Sequence, residues 1–169
     1  PRMDERYGME NLPMGQTAEK VAEQYDVSRD QQDEFGARSQ QRAVEATEEG
    51  RFDEEIVPIT GHDEDGNEVT VTEDEGLRPG TTKETLAELP TVFKEDGTVT
   101  PGNASQISDG AACVLVTSEA FATDNDLEIL AEVGQSGVAG VDPTTMGIGP
   151  IPAVRNMLER AGRTIDDYG

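Results

Sequence analysis

The chain has 169 residues, of which 36 are Asp or Glu and 13 are Lys or Arg, so its formal net charge is −23. A charge of this sign repels a phosphate backbone and argues against a nucleic-acid-binding protein of the usual basic kind. The longest apolar run, residues 111–116, is far shorter than the ~20 residues of a membrane-spanning helix. A single cysteine excludes an internal disulfide bond. The sequence also has no cluster of cysteine and histidine residues that would predict a metal site.

The acidic residues are spread along the whole chain, and three of the positive residues are lysine. In concentrated salt the Debye length falls to ~3 Å at 1 M, so the mutual repulsion of such carboxylates is screened. We therefore expect a folded protein from the cytoplasm of a halophile. The alternative is a partly disordered mesophilic protein, because only 33 residues are Leu, Ile, Val or Phe.

The first half of the chain predicts three helices and a hairpin. Apolar residues three and four positions apart predict a short helix over residues 17–25. A capping box at Ser28 predicts a longer helix that ends at a glycine. We expect that helix to pack through one face: Phe35, Ser39, Ala43 and Ala46. Residues 55–60 and 67–72 favour β-strands around a polar turn, which predicts a hairpin, and residues 82–89 predict another short helix.

The second half alternates predicted strands and helices, which indicates a layered α/β architecture. Residues 111–117 are apolar on both faces, as is typical of a strand in the middle of a covered sheet. Ser118 predicts the cap of a short helix, and residues 130–138 predict a further strand. Pro152 at the first position and Gly162 just past the end mark the final helix.

Three features could carry chemistry, and each has a simpler structural explanation when taken alone. Cys113 lies in the predicted buried strand without a neighbouring base, so a small core residue is favoured over a nucleophile. His62 lies in a polar turn and is better explained as a solvated loop residue. The glycine-containing turns at residues 102–110 and 146–150 would let a ligand approach the backbone, but tight turns explain them as well.

A series of short motifs follows in one order along almost the whole chain: MGQTAE (14–19), SRDQQD (28–33), RSQQRA (38–43), GRFDEEIVP (50–58), DEGLRP (74–79), GNAS (102–105), SDGAA (108–112), GVDP (140–143) and MGIGP (146–150). Together these motifs strongly resemble the thiolase family. Pro13 stands where many biosynthetic acetoacetyl-type members have histidine, so residues 12–15 are more similar to degradative 3-ketoacyl thiolases.

The resemblance implies an α/β fold, the five-layered α/β/α/β/α fold of thiolases, which is made of two similar halves. It assigns residues 1–107 to the loop domain that covers the active site and binds coenzyme A. Residues 108–128 would end the N-terminal half, and residues 129–169 would begin the C-terminal half. Because the chain starts without methionine and ends just after a helix, we expect an internal segment of a longer protein.

The resemblance also implies coenzyme A and acyl-CoA as substrates, with no permanently bound cofactor and no metal. Residues at positions that resemble the family's coenzyme A contacts are Arg78 and Thr85 at the nucleotide end, Leu89, Phe93 and Pro101 along the pantetheine arm, Ser105 at its amide, and Met14 at the tunnel. Met146 would border the acyl pocket. Without the resemblance, a surface Arg78 and a core Phe93 and Met146 would be the simpler interpretation.

Thiolases form an acyl-cysteine and stabilise an enolate and a tetrahedral oxyanion. In the family the nucleophilic cysteine precedes this span, and the catalytic asparagine, histidine and second cysteine follow it. The resemblance therefore implies no catalytic residue here, and no activity for residues 1–169 alone. The intact protein would be a cytoplasmic homodimer or homotetramer in fatty-acid, ketone or polyhydroxyalkanoate metabolism. A second interpretation is a non-enzymatic, acidic α/β interaction or ligand-binding module.

Overall fold

A computed structural model describes residues 13–168. The chain divides into two compact units, the first ending at Gln106 and the second beginning at Ile107. The described elements of the first unit are α1 (Met14–Gln24), α2 (Arg29–Glu48), β1 (Ile59–His62), β2 (Glu68–Val71) and α3 (Lys83–Ala87). Those of the second are α4 (Glu119–Asp124), a 3₁₀ helix (Pro143–Ile148), α5 (Pro150–Ala161) and a 3₁₀ turn (Ile165–Asp167).

The three helices predicted for the first unit are present, and the capping box at Ser28 is confirmed. The Ser28 hydroxyl accepts a hydrogen bond from the backbone N–H of Gln31, and the Gln31 side chain accepts one from the backbone of Ser28. Two backbone donors at the start of α2 are thereby satisfied. Gly50, just after α2, has a φ of +69°, a left-handed conformation that glycine adopts without strain.

The predicted packing face of α2 is wrong. Asp33 and Ala37 are the buried residues of the helix, while Phe35 is 64% exposed and lies under the guanidinium of Arg38 at 5.3 Å. Ser39 is also exposed, and Ala43 and Ala46 are half-buried. The prediction placed the apolar Phe35 on the packed face. The face that packs is instead the one that carries Asp33, whose carboxylate finds partners there.

The predicted hairpin is confirmed, with shorter strands. β1 and β2 are antiparallel, with Ile59 opposite Val71 and His62 opposite Glu68. His62 is therefore the exposed last residue of β1 and does not lie in the turn. The Asp63 carboxylate accepts hydrogen bonds from the side chain and the backbone of Asn67, which organise the turn. The same bonds hold the pKa of the Asp63 carboxyl below the ordinary value.

In the second unit the helices are found where they were predicted, with different ends. The Ser118 hydroxyl accepts a hydrogen bond from the backbone N–H of Phe121 and caps α4 as expected. Helix α5 begins at Pro150, two residues before the predicted Pro152. Gly162 ends it in the left-handed conformation, with a φ of +61°.

The two predicted strands of the second unit are wrong. Residues 111–117 and 130–138 have no strand pairing, and Val114 and Leu130 are 83% and 87% exposed. Cys113 is exposed as well, which contradicts the expected core position. A central strand needs hydrogen-bonding neighbours on both edges and cover on both faces, and the described part of the second unit contains no strand to supply them.

Within residues 13–168, no helix has the length and apolar character needed to cross a membrane. The same range contains no group of three or more His, Cys, Asp or Glu side chains arranged to hold a metal ion.

Candidate functional site

The 98–105 loop, defined as residues 98–105, is held to α1 by the carboxylate of Glu19. Both oxygens of Glu19 accept hydrogen bonds from the backbone N–H of Thr98, each at 2.9 Å. The backbone N–H of Val99 donates to Oε1 at 2.8 Å, and the Thr98 hydroxyl donates to Oε2 at 3.0 Å. Glu19 is 6% exposed, so this carboxylate is an internal cap for the start of the loop.

The hydrogen bonds at Glu19 outweigh the effect of its burial. Burial alone would raise the pKa of the Glu19 carboxyl, because the charged form loses its hydration. The donors of Val99 and Thr98, together with the nearby Lys94, instead lower that pKa below the ordinary value of 4.5. Glu19 is therefore ionised at neutral pH and bonds the loop as a charged acceptor.

A second buried carboxylate, Asp33, holds the same loop from α2. Asp33 is 1% exposed, and its Oδ2 lies 2.6 Å from Nε of Arg29. Its Oδ1 accepts a hydrogen bond from Nδ2 of Asn103 at 3.1 Å. Asn103 in turn accepts from the backbone N–H of Thr100 at 2.8 Å and donates to the Thr98 carbonyl at 3.0 Å.

Glycines let the loop approach its neighbours closely. A Cβ on Gly102 would overlap the side chains of Leu86 and Leu89, and a Cβ on Gly36 would lie 3.0 Å from the carbonyl oxygen of Gly102. The loop backbone therefore rests directly on α2 and on the end of α3. This contact places Leu89 beside Gly102, the residue that follows Pro101. The two predicted pantetheine contacts Leu89 and Pro101 therefore lie on segments that touch each other.

The structure also brings together the segments that carry Phe93 and Met14. The Phe93 ring lies against Gly15 so closely that a Cβ on the glycine would overlap it. Phe93 is 39% exposed and Met14, the residue just before Gly15 in α1, is 72% exposed. Both side chains are thus available to a ligand, and Phe93 is not the core residue of the simpler interpretation.

Arg78 and Thr85, predicted at the nucleotide end, are both exposed. Nη1 of Arg78 donates to the carbonyls of Glu75 and Leu77, each at 2.8 Å, and its backbone N–H donates to the Gln40 side chain at 3.0 Å. The hydroxyl of Thr85 accepts from the backbone N–H of Thr82 at 3.0 Å in the capping box of α3. Arg78 borders a cleft of about 190 Å³ whose lining also includes two glutamates of α2, Glu45 and Glu48.

Two predicted residues remain. Ser105 is exposed, and its hydroxyl donates to the carbonyl of Gln106 at 3.3 Å. Met146 belongs to the second unit, where it lies in the 3₁₀ helix before α5 and is 42% exposed. The roles of all eight residues in ligand binding stay predictions. A larger groove of about 560 Å³ in the second unit, beside α5, is lined by none of the eight.

Sequence reasoning missed the four residues that hold the loop: Glu19, Arg29, Asp33 and Asn103. A signal existed for two of them. Arg29 and Asp33 are four residues apart, and Asp33 is again four residues before Ala37, so a charged pair shares one helix face with small residues. Nothing comparable marks Glu19, whose partners lie 79 and 80 residues away in the chain.

Comparison with known proteins agrees with these observations. The family described as "Thiolase, N-terminal domain" matches residues 5–120. The chain is 48% identical over 168 residues to the 3-ketoacyl-CoA thiolase of Idiomarina loihiensis, covering 99% of this chain and 43% of that protein. The crystal structure of the Bacillus anthracis acetyl-CoA acetyltransferase matches 95% of the chain and 40% of its own length, with a TM-score of 0.87 and 44% identity.

A solved structure with a ligand also matches. The human mitochondrial 3-ketoacyl-CoA thiolase in complex with CoA covers 93% of the chain with a TM-score of 0.82 and 42% identity, over 38% of its own length. The chain thus spans about two fifths of the length of the proteins that it matches.

Proposed function

Because the chain belongs to the thiolase family and shares its α/β fold, we propose that it forms the coenzyme A-binding side of a thiolase. The activity of the intact protein would be CoA-dependent acyl transfer, either condensation of acetyl-CoA or thiolytic cleavage of a 3-ketoacyl-CoA. The observation that carries this proposal is the match, over 93% of the chain, to a thiolase structure that contains CoA. Residues 1–107 would form the loop domain of such an enzyme, followed by the end of its N-terminal half and the start of its C-terminal half.

The chemistry of the eight predicted side chains suits the parts of coenzyme A assigned to them. A guanidinium such as that of Arg78 can stack on adenine and pair with phosphate, which lysine does less well. Leu89, Phe93 and Pro101 offer apolar surface to the pantetheine arm, and the hydroxyl of Ser105 can bond its amide. Thr85 and Met14 would complete the coenzyme A contacts, and Met146 would border the acyl pocket.

The catalytic groups of the reaction would come from outside residues 1–169. Thiolase chemistry needs a cysteine nucleophile and a second group that moves the proton of the nucleophilic carbon. Cys113 is the single cysteine of the chain. By the family resemblance, its position corresponds to neither catalytic cysteine of a thiolase. Purified residues 1–169 should therefore show no thiolase turnover, and turnover by that polypeptide, free of any longer form, would overturn this part of the proposal.

Finer features of the proposal rest on the sequence. Pro13 favours a degradative 3-ketoacyl thiolase of fatty-acid metabolism over a biosynthetic enzyme of ketone or polyhydroxyalkanoate formation. From the family resemblance we also propose that the intact protein is a homodimer or homotetramer. We further propose that it works in the cytoplasm at high salt, because the net charge of −23 is spread over the chain. Far-UV circular dichroism tests the salt proposal: helicity should rise between millimolar and molar KCl, and a fold indifferent to KCl would contradict it.

The binding proposal is tested by calorimetric titration of coenzyme A into the full-length protein that contains this chain. Arg78→Ala should weaken binding about tenfold, since one charge-assisted contact contributes about 1.4 kcal/mol or more. Arg51→Ala is the matched control, because Arg51 is an exposed arginine paired with Glu49 at 2.6 Å and assigned to no ligand contact. Absence of coenzyme A binding by the unsubstituted protein would refute the proposal.

A further inference from the structure

The ion pair between the half-buried Arg29 and the buried Asp33 connects α2 to the end of α3. Nη2 of Arg29 donates to the carbonyl of Leu86 at 2.6 Å and to that of Leu89 at 3.1 Å. Carbonyls at a helix C-terminus lack partners within the helix and attract a positive charge. Arg29 donates to two carbonyls at this end while its Nε remains bonded to Asp33, and the Leu86 carbonyl also accepts from the backbone N–H of Leu89 at 3.1 Å. The turn that carries Leu89 is thus fixed relative to the Asp33 carboxylate.

The other oxygen of Asp33 fixes the 98–105 loop. Through Asn103 that oxygen is connected to the backbone of Thr98 and Thr100, on the segment that leads to Pro101 and Ser105. One buried carboxylate is therefore the shared attachment point of two segments that are distant in sequence. One segment carries Leu89, and the other carries Pro101 and Ser105.

Stability alone does not explain such an arrangement. An ion pair with a buried carboxylate often contributes no more to folding than apolar residues of the same volume, because the buried charge loses its hydration. Its directional bonds do something that apolar packing does less well: they fix the distance between the groups that they join. At this position the joined groups are the two sides of the proposed pantetheine site.

We propose that Asp33, together with Arg29, is a positioning residue for coenzyme A, which sets the separation between Leu89 and the 98–105 loop. This inference rests on the proposed function. Asp33 does not contact the ligand in this proposal; it acts through Leu89, Pro101 and Ser105. Because those contacts hold the coenzyme A moiety throughout the reaction, their loss should raise KM and leave kcat nearly unchanged.

The test uses Asp33→Asn in the full-length protein, assayed for thiolysis at varied coenzyme A concentration. The amide keeps the volume of the side chain, but its NH₂ group must face either Arg29 or Asn103, both of which donate to Asp33. One of the two attachments is therefore lost. We expect KM for coenzyme A to rise at least fivefold, with kcat changed less than twofold.

The matched control is Asp30→Asn on the same helix. Asp30 also joins α2 to α3, through Lys83 at 2.7 Å, but the Asp30 side chain is 69% exposed. The same change of charge at this surface pair should leave both KM and kcat within twofold of the unsubstituted protein. A purely structural role for Asp33 would appear differently, as a lower melting temperature and a smaller active fraction at unchanged KM, and that result overturns the proposal.

A second variant keeps the test decisive if Asp33→Asn does not fold. Arg29→Lys retains the positive charge beside Asp33, but a single ammonium cannot reproduce the planar arrangement that reaches Asp33 and two carbonyls. We expect KM to rise two- to fivefold at near-normal kcat, and an unchanged KM would overturn the proposal. The two proposals fail separately: an unsubstituted protein without coenzyme A-dependent turnover or binding refutes the function, whereas normal KM values in both variants refute the positioning role alone.

Discussion

Replacing Glu19 with glutamine should loosen the 98–105 loop while leaving α1 in place. The glutamine carbonyl can still accept from Thr98 and Val99, but without a charge, and its NH₂ group takes the place of Oε2, where the Thr98 N–H now donates at 2.9 Å. The shape of the side chain is kept and its charge is removed. The expected damage is therefore confined to the hydrogen bonds that hold the start of the loop.

The magnitude follows from two backbone bonds. A hydrogen bond to a charged acceptor contributes about 1 kcal/mol more than one to a neutral acceptor, and two backbone N–H groups lose that difference. The local opening free energy should fall by about 2 kcal/mol, which corresponds to roughly 30-fold faster exchange of the affected amides. The burial of Glu19, which is 6% exposed, prevents water from replacing the lost acceptor.

Amide hydrogen–deuterium exchange of the full-length protein measures this directly at Thr98 and Val99. Glu23→Gln is the matched control, since Glu23 lies one turn later on α1, is 73% exposed and meets only Lys94 at 3.4 Å among the described ion pairs. Its exchange at Thr98 and Val99 should match that of the unsubstituted protein. Equal exchange in the Glu19→Gln and unsubstituted proteins would refute the reasoning, as would equal acceleration in both variants.

Three further predictions concern pH, packing and capping. Since the pKa of Glu19 is lowered by folding, its stabilisation is complete above the ordinary value of 4.5 and is lost as the pH falls through the lower folded value. Acid should therefore reduce the protection factor of the Thr98 amide, which is the intrinsic exchange rate at that pH divided by the observed rate, in the unsubstituted protein and not in Glu19→Gln. Gly15→Ala should lower stability by about 1–3 kcal/mol, because the new methyl group overlaps the Phe93 ring, and Phe93→Leu should relieve part of the loss in the double variant. Ser28→Ala should cost about 1 kcal/mol in urea unfolding, whereas Ser39→Ala, an exposed site within α2, should cost nothing.

Local signals explain why the helices and the hairpin could be predicted. Each helix end depends on three or four adjacent residues, as at the Ser28 and Ser118 caps and at Gly162. Such ends can be predicted without tertiary information. The hairpin likewise depends on alternating β-forming residues and a turn of polar side chains. The family resemblance, carried by motifs along the whole chain, added the fold.

Long-range partners explain what could not be predicted. The apolar residue Phe35 predicts one packed face for α2, whereas the observed face is the one that carries Asp33, whose partner Asn103 lies 70 residues away. The strand at residues 111–117 was assigned from its own apolar pattern, but strand pairing depends on neighbours. The expected burial of Cys113 is wrong for the same reason, because it depends entirely on the predicted strand.

The two buried carboxylates, Glu19 and Asp33, should hold the 98–105 loop equally well at low and high salt. Surface carboxylates respond to ionic strength because mobile ions screen their repulsion, but ions do not reach Glu19 or Asp33, which are 6% and 1% exposed. Among the described residues, no buried side-chain nitrogen or oxygen lacks a hydrogen-bond partner, so neither carboxylate needs a counterion from solution. The free energy of unfolding should therefore rise with KCl. The ratio of the Thr98 amide exchange rate in Glu19→Gln to that in the unsubstituted protein should stay constant. A ratio that fell with salt would mean that screening reaches the loop and that its attachment is not truly internal.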